Sequence, residues 1–208
     1  MSFSTDNHPN KIFLSKMMLQ VNFHPFPEIK TERLLLRRLI REDTEEIYKM
    51  RSDKNVMKFI GKDPITTMQE AIDFYNLVND SLQNNTGITW AIALIDSPQK
   101  MIGTIGLWRI IKEHFRAEIG YMLMPGYWKK GLAKEAVLRV IQFGFDQMNL
   151  HSIEAHIHPK NLASASLLEA TGFIREAYFK QDFFFNGAFE DTGIYSLLNT
   201  KQSSGTKR

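Results

Sequence analysis

Cysteine is absent from the 208 residues, which excludes disulfides, thiolate metal sites and a cysteine nucleophile. This fits a reducing compartment, and a cytoplasmic protein is the expectation. Long apolar runs are also missing: none approaches the roughly 20 residues that a membrane-spanning helix needs. KIFLSKMMLQV near the N-terminus is broken by Lys16 and lacks a small-residue cleavage site, so neither a span nor a signal peptide is expected. Excess charge is lacking too. The formal net charge is +3, and Lys201, Lys207 and Arg208 supply it in an acid-free tail, leaving residues 1–199 neutral. A basic tail of this kind makes no case for a nucleic-acid partner.

What is present is ordinary for a globular chain, 43% apolar and 24% charged. The length suits one domain, expected over 28–199, with an N-terminal extension at 1–27 and a flexible tail at 200–208. TERLLLRRL reads as a first strand. A helix from Arg41 to Arg51 has the acids Asp43 and Glu45 near its start, and Ala71, Phe74, Tyr75 and Val78 space a second one from Thr67 to Leu82. TWAIALI, a turn at DSPQK and MIGTIGLW form a hairpin, which AEIGYML continues as a meander. A helix over 132–146, a strand over 152–158 and a helix over 162–171 follow, with Gly172 as its left-handed cap. Strands at 173–179 and 192–198 complete the chain, with a loop at 180–191. The pattern implies an α+β fold, a mixed and mostly antiparallel sheet flanked by helices, and not the alternation of a doubly wound nucleotide fold.

One stretch, Glu118 to Asp146, organises the rest. A strand, a short basic turn with glycine and a helix without bulk at its start bring free N–H groups, a positive helix end and two lysines together. Such a point binds phosphate. Gly126 to Gly131 has the glycine spacing of a Walker loop, but Leu132 and Ala133 stand where Lys and Ser/Thr are required. G-x-G-x-x-G is missing as well. A nucleoside triphosphate and a dinucleotide both lose their support.

The remaining signature is Trp128-Lys129-Lys130-Gly131-Leu132-Ala133, that is x-x-x-Gly-x-Ala. With it, the chain resembles the GNAT family of acyl-CoA-dependent N-acetyltransferases, and within that family the branch of the ribosomal-protein N-terminal (alanine/serine) acetyltransferases. Four blocks in order support the likeness: TERLLLRRL, EIGYML with PGYWKKGLAKEA, NLASASLLEATGF and EDTGIYSLL. Trp128 departs from the family's usual Gln/Arg. The resemblance implies the acyl-CoA N-acyltransferase fold and acetyl-CoA as co-substrate, with no metal. CoA pyrophosphate would sit on the backbone of Lys129, Lys130, Gly131, Leu132, Ala133 and Lys134. Pantetheine would lie along Met122, Leu123 and Met124, where the strand splays from its neighbour, and Asn161 would bond the CoA arm.

Acetyl transfer from a thioester to an amine needs a deprotonated amine, a stabilised oxyanion and a protonated thiolate leaving group. Glu118 aligns with the family's common glutamate and is the first choice of base, with an exposed carboxylate beside Arg116 as the bland alternative. Asp182 and Asp191 are runners-up, and turn positions otherwise. Asn161 equally suits a helix N-cap. Where many relatives carry a tyrosine acid, Leu168 cannot donate a proton, which leaves Ser164 or water for the thiolate. Glu154, His156 and His158 share a strand face, but a half-polar strand explains them without a metal. The aromatic set of Trp108, Tyr121, Tyr127, Phe173, Phe179 and Phe183–Phe185 reads mainly as core or interface, and the last run hints at a buried strand or a homodimer contact. The expected acceptor is a protein N-terminal amine. A polyamine or aminoglycoside is the alternative, and a CoA-binding regulatory module without catalysis is a reading from another class.

Overall fold

The computed structural model describes residues 18–200. Eight strands form one sheet in the order β1-β2-β3-β4-β5-β6-β8-β7. They are β1 (Ile29–Lys30), β2 (Leu34–Arg38), β3 (Ile88–Leu94), β4 (Ser97–Ile111), β5 (Arg116–Leu123), β6 (Ser152–Ile157), β7 (Ile174–Phe185) and β8 (Ala188–Leu198). Every pairing is antiparallel except β5 with β6. The expected mixed, mostly antiparallel sheet is therefore present. β3 is apolar on both faces and almost wholly buried, as a central strand between two helical layers must be.

The helices α1 (Thr44–Ser52), α2 (Lys54–Met57) and α3 (Met68–Gln83) pack on one face, around Ile47, Met50, Ala71, Ala91 and Met101. On the other lies α4 (Leu132–Asp146), whose stripe of Leu132, Ala136, Val137, Val140 and Ile141 joins the larger core with Leu36, Ile105, Ile119 and Ile153. The last helix, α5 (Leu162–Glu169), ends as expected at Gly172 (φ +96°), where the N–H groups of Gly172 and Phe173 close onto Glu169 and Leu168. α3 opens on a capping box, with Thr67 accepting from the Glu70 N–H and the Glu70 carboxylate returning to the Thr67 N–H.

Three expectations are corrected. The helix at 41–51 begins as a 3₁₀ turn, Arg41–Asp43, because the Asp43 carboxylate is turned inward onto Arg37 at 2.7 Å instead of capping α1. The DSPQK turn is shorter: β4 starts at Ser97, opposite Leu94, so only Ile95 and Asp96 lie between the two strands, and the register then shifts before Met101 pairs with Ala93. The loop at 180–191 is a hairpin. Asn186 and Gly187, at φ +48° and +80°, make the tight turn favoured by Asn-Gly, so β7 and β8 run on to meet it.

Residues 18–27 pack against the domain. Leu19 and Phe23 are buried, and the Trp90 indole donates to the Pro27 carbonyl at 2.7 Å. The first 17 residues of the expected extension, and the tail from Lys201, lie outside the described residues.

Candidate active site

The sheet divides at its centre. β5 pairs with β4 from Arg116 to Leu123, yet with β6 only at Arg116↔Ser152, Ala117↔Ile153 and Glu118↔Glu154. Beyond Glu118 the two strands part, since β6 stays with β8 while the end of β5 follows β4, with Met124 N–H held by the Ile102 carbonyl at 2.9 Å. A cleft of about 500 Å³ opens at this split. Glu118, Met122, Asn161 and Ser164 all line it, which brings together four of the residues singled out from sequence. The volume lies in the usual range for small-molecule sites, about 300–1,000 Å³.

The basic turn follows β5 directly. A 3₁₀ turn at Pro125–Tyr127 leads to Lys129 (φ +59°) and Gly131 (φ +76°), the residue that caps α4 without a side chain. The Trp128 indole donates to the Leu123 carbonyl at 2.7 Å, folding the turn back on its strand. The first bond of the α4 end is Glu135 N–H to Gly131 carbonyl, so the N–H groups of Leu132, Ala133 and Lys134 point out of the helix start. With the helix dipole and the exposed Lys129, Lys130 and Lys134, they make an anion-binding corner.

Arg33 holds this corner in shape and went unmarked in the sequence. Its guanidinium donates to the Lys130 carbonyl at 3.0 Å and pairs with Glu135 at 2.7 Å. Burial opposes the Glu135 charge, but bonds from Thr31 and Arg33 outweigh it and hold the carboxyl below its ordinary range.

At the other end of the split, Glu118 is mostly buried, its side chain 12% exposed, and its partner is Arg109 at 2.8 Å. Arg116, the partner expected from sequence, turns instead to Glu154. The reason is an irregularity in the β4–β5 ladder after Trp108, where Arg109 adopts φ +47° and re-aims its side chain. Trp108 lies across Gly120. A Cβ built on Gly120 would meet the indole at 2.0 Å, so only glycine lets this ring form the cleft floor.

Tyr121 is the main residue that sequence reasoning assigned elsewhere. Its hydroxyl lies 2.8 Å from Ser164 Oγ, across the split between β5 and α5. Burial pushes its phenol up to about 12, against the opposing hydrogen bond from Ser164. It therefore stays protonated at any working pH. Asn161 acts as the N-cap of α5, accepting from the Ser164 N–H at 3.2 Å. Leu168, in place of the family's tyrosine, is fully buried in the core.

Other residues stand apart. Asp182 is exposed on β7 and does not line the cleft, and Asp191 is occupied by the Tyr178 hydroxyl and the Gln181 N–H. Glu154 takes Arg116 and His156, the latter also lining the cleft, whereas His158 takes Glu190 at 2.9 Å. Among the described residues no group of three or more His, Cys, Asp or Glu could hold a metal ion. Phe184 and Phe189 are exposed on the outer hairpin, while the Phe183 ring reaches back to Gly61, and Asn186 bonds Asp63 at 3.1 Å.

Comparison with known proteins gives this arrangement a family. The pattern of the acetyltransferase (GNAT) domain matches residues 33–174. The uncharacterized N-acetyltransferase YoaA of Bacillus subtilis is 33% identical over 177 residues, 85% of this chain and 99% of its own. The structure of spermidine N-acetyltransferase from Vibrio cholerae with CoA and spermine superimposes with a TM-score of 0.73, at 26% identity, covering 82% of this chain and 98% of that one. In sequence, likeness to the ribosomal branch reaches less far: Bacillus subtilis YdaF, provisionally named a ribosomal N-acetyltransferase, is 28% identical over 98 residues, 47% of this chain and 54% of its own. The ladder that parts beyond Glu118, the glycine-capped start of α4 and the match over 33–174 place the chain in the GNAT acetyltransferase family, as an N-acetyltransferase.

Proposed function

We propose that the protein moves the acetyl group of acetyl-CoA to a small primary amine by direct attack within a ternary complex. The observation that carries this reading is the cleft at the β5–β6 split, with Glu118 at its closed end and the α4 corner beyond its open one. CoA pyrophosphate fits the N–H groups and lysines of that corner, and the pantetheine amides fit the β5 edge from Ile119 to Leu123, which β6 leaves unpaired. The thioester then lies between Glu118 and the Tyr121–Ser164 pair.

The amine nitrogen attacks the thioester carbonyl carbon, forming the C–N bond and an oxyanion. Glu118, directly or through one water, takes the proton that nitrogen loses. Collapse of the oxyanion breaks the C–S bond, and the thiolate takes a proton from Ser164, which regains one from solvent through the Tyr121 hydroxyl, so that neither oxygen is left ionised. A phenol this reluctant to ionise remains a donor throughout the cycle. The Tyr121–Ser164 pair thus fills the place left open by Leu168. Asp182, exposed on β7, has no part in this scheme.

A small amine is favoured over the protein N-terminus expected from sequence, because in sequence the spermidine N(1)-acetyltransferase of Vibrio cholerae is matched over 95% of its length, whereas the ribosomal-type YdaF is matched over 54%. Thiol release from acetyl-CoA on adding small amines, or peptides with free N-terminal Ala or Ser, tests both halves of the reading. Small amines are expected to react faster; a preference for the peptides would restore the protein acceptor. Glu118→Gln should lower turnover by about 10²–10⁴ with CoA affinity near wild type. An unchanged rate would remove Glu118 from the role.

A further inference from the structure

Arg51 is out of keeping with its surroundings. It lies near the end of α1, is 7% exposed, and lines the cleft. Its guanidinium stacks over the Phe74 ring at 4.2 Å, but no ion pair reaches it among the described residues, and its buried Nε has no hydrogen-bond partner. Arg37 shows what this chain does with a buried guanidinium elsewhere, giving it both Asp43 oxygens and three carbonyls. An aromatic face attracts the charge of Arg51 but fills none of its five N–H donors. A buried cation with unfilled donors is unfavourable unless something completes it.

The rest of the cleft has the same bias. Arg51, Lys62 and Arg109 line it against one carboxylate, Glu118, which Arg109 already holds. Phe59, Phe74, Leu77 and Val78 supply an apolar wall beside Arg51. A polyamine would bring several positive charges into a site with three cations and one engaged acid. A compact amine with an apolar body and a carboxylate would bring the missing partner, and a guanidinium fork matches a carboxylate in two parallel bonds.

We propose that the acceptor is a small amine that also carries a carboxylate, and that Arg51 binds this carboxylate while the amine is presented to the thioester. This rests on the acetyl-transfer reading above and narrows its substrate class. Arg51 then acts as a specificity-determining residue.

Matched pairs that differ only in the carboxylate provide the test: phenylalanine against phenethylamine, and leucine against isoamylamine, with spermidine as the polycation. In the wild-type protein with acetyl-CoA, the carboxylate member of each pair should show a kcat/KM about tenfold to a hundredfold higher, the range of a charge-assisted bond. Arg51→Met, which keeps the stem on Phe74, should bring each ratio to within about twofold of unity, mainly through KM. Arg51→Lys, with the charge but not the fork, should fall between.

Equal or better turnover of spermidine or of the carboxylate-free amines by the wild type would overturn the assignment. So would an unaltered ratio in a folded, CoA-binding Arg51→Met. Calorimetry of the same pairs on the CoA-loaded protein reads binding apart from chemistry. Preferential binding of the amino acids, abolished by Arg51→Met, supports the inference even without thiol release, and then it is the acetyl-transfer reading that fails. Equal binding of both members overturns the inference by itself.

Discussion

At the residue scale, the proposed chemistry is divided between two faces of one strand, with Glu118 on one and Tyr121 on the other. Alternation along β5 sends Glu118 toward the α1 and α3 face, and Tyr121 toward the core under α4 and α5. The split lets both reach one cleft. Tyr121→Phe should lower kcat more than KM for acetyl-CoA, measured by steady-state thiol release, and Ser164→Ala should behave alike if the two act as one relay. A pH signature accompanies this. The Tyr121 phenol lies near 12 in the folded chain, above the ordinary value of about 10. An unfolded chain thus sheds this proton first. Stability contributed below about pH 10 is lost as pH climbs toward 12. Urea midpoints across that window should fall more steeply for wild type than for Tyr121→Phe.

At the element scale, the site depends on how two helices begin. α4 starts at a glycine with φ +76°, and a β-branched residue there would be strained by about 1–2 kcal/mol and crowd the corner. Gly131→Val is expected to weaken CoA binding at least tenfold while leaving the far-UV spectrum of the folded protein intact; unchanged affinity would remove the corner from the binding site. α5 starts at Asn161, whose cap restrains the Ser164 N–H. Asn161→Ala should cost about 1 kcal/mol in denaturant stability, and should lower kcat through a less fixed Ser164. These two starts were readable from the sequence, because glycine and asparagine before an apolar stripe have local causes. The β7–β8 hairpin was equally local at Asn186-Gly187, but its exposed aromatic strand has no alternation to mark it.

For the whole molecule, legibility followed the range of the interaction. The fold type, the α4 corner and the place of Glu118 came from contiguous blocks. Arg109 at Glu118 depends on a ladder irregularity, Tyr121 at Ser164 on residues 43 positions apart, and Arg51 at Phe74 on the packing of α1 against α3. None has a signature in a single stretch. The bare charge of Arg51 is visible in the sequence, but its burial without a partner is a property of the tertiary arrangement alone.

The sheet itself is joined across its middle by only three residue pairs, Arg116 to Glu118 against Ser152 to Glu154. In mechanical terms it is two panels, β1–β5 and β6–β8, with a short hinge and an open seam. A pantetheine arm bonded along β5 would act as additional rungs in that seam, so the co-substrate becomes part of the architecture as well as the fuel. Amide exchange should then slow on CoA binding in Ile119–Leu123 and also in β6 and β8, strands remote from the phosphate corner. Protection confined to the corner would show that the panels are stiff without their ligand.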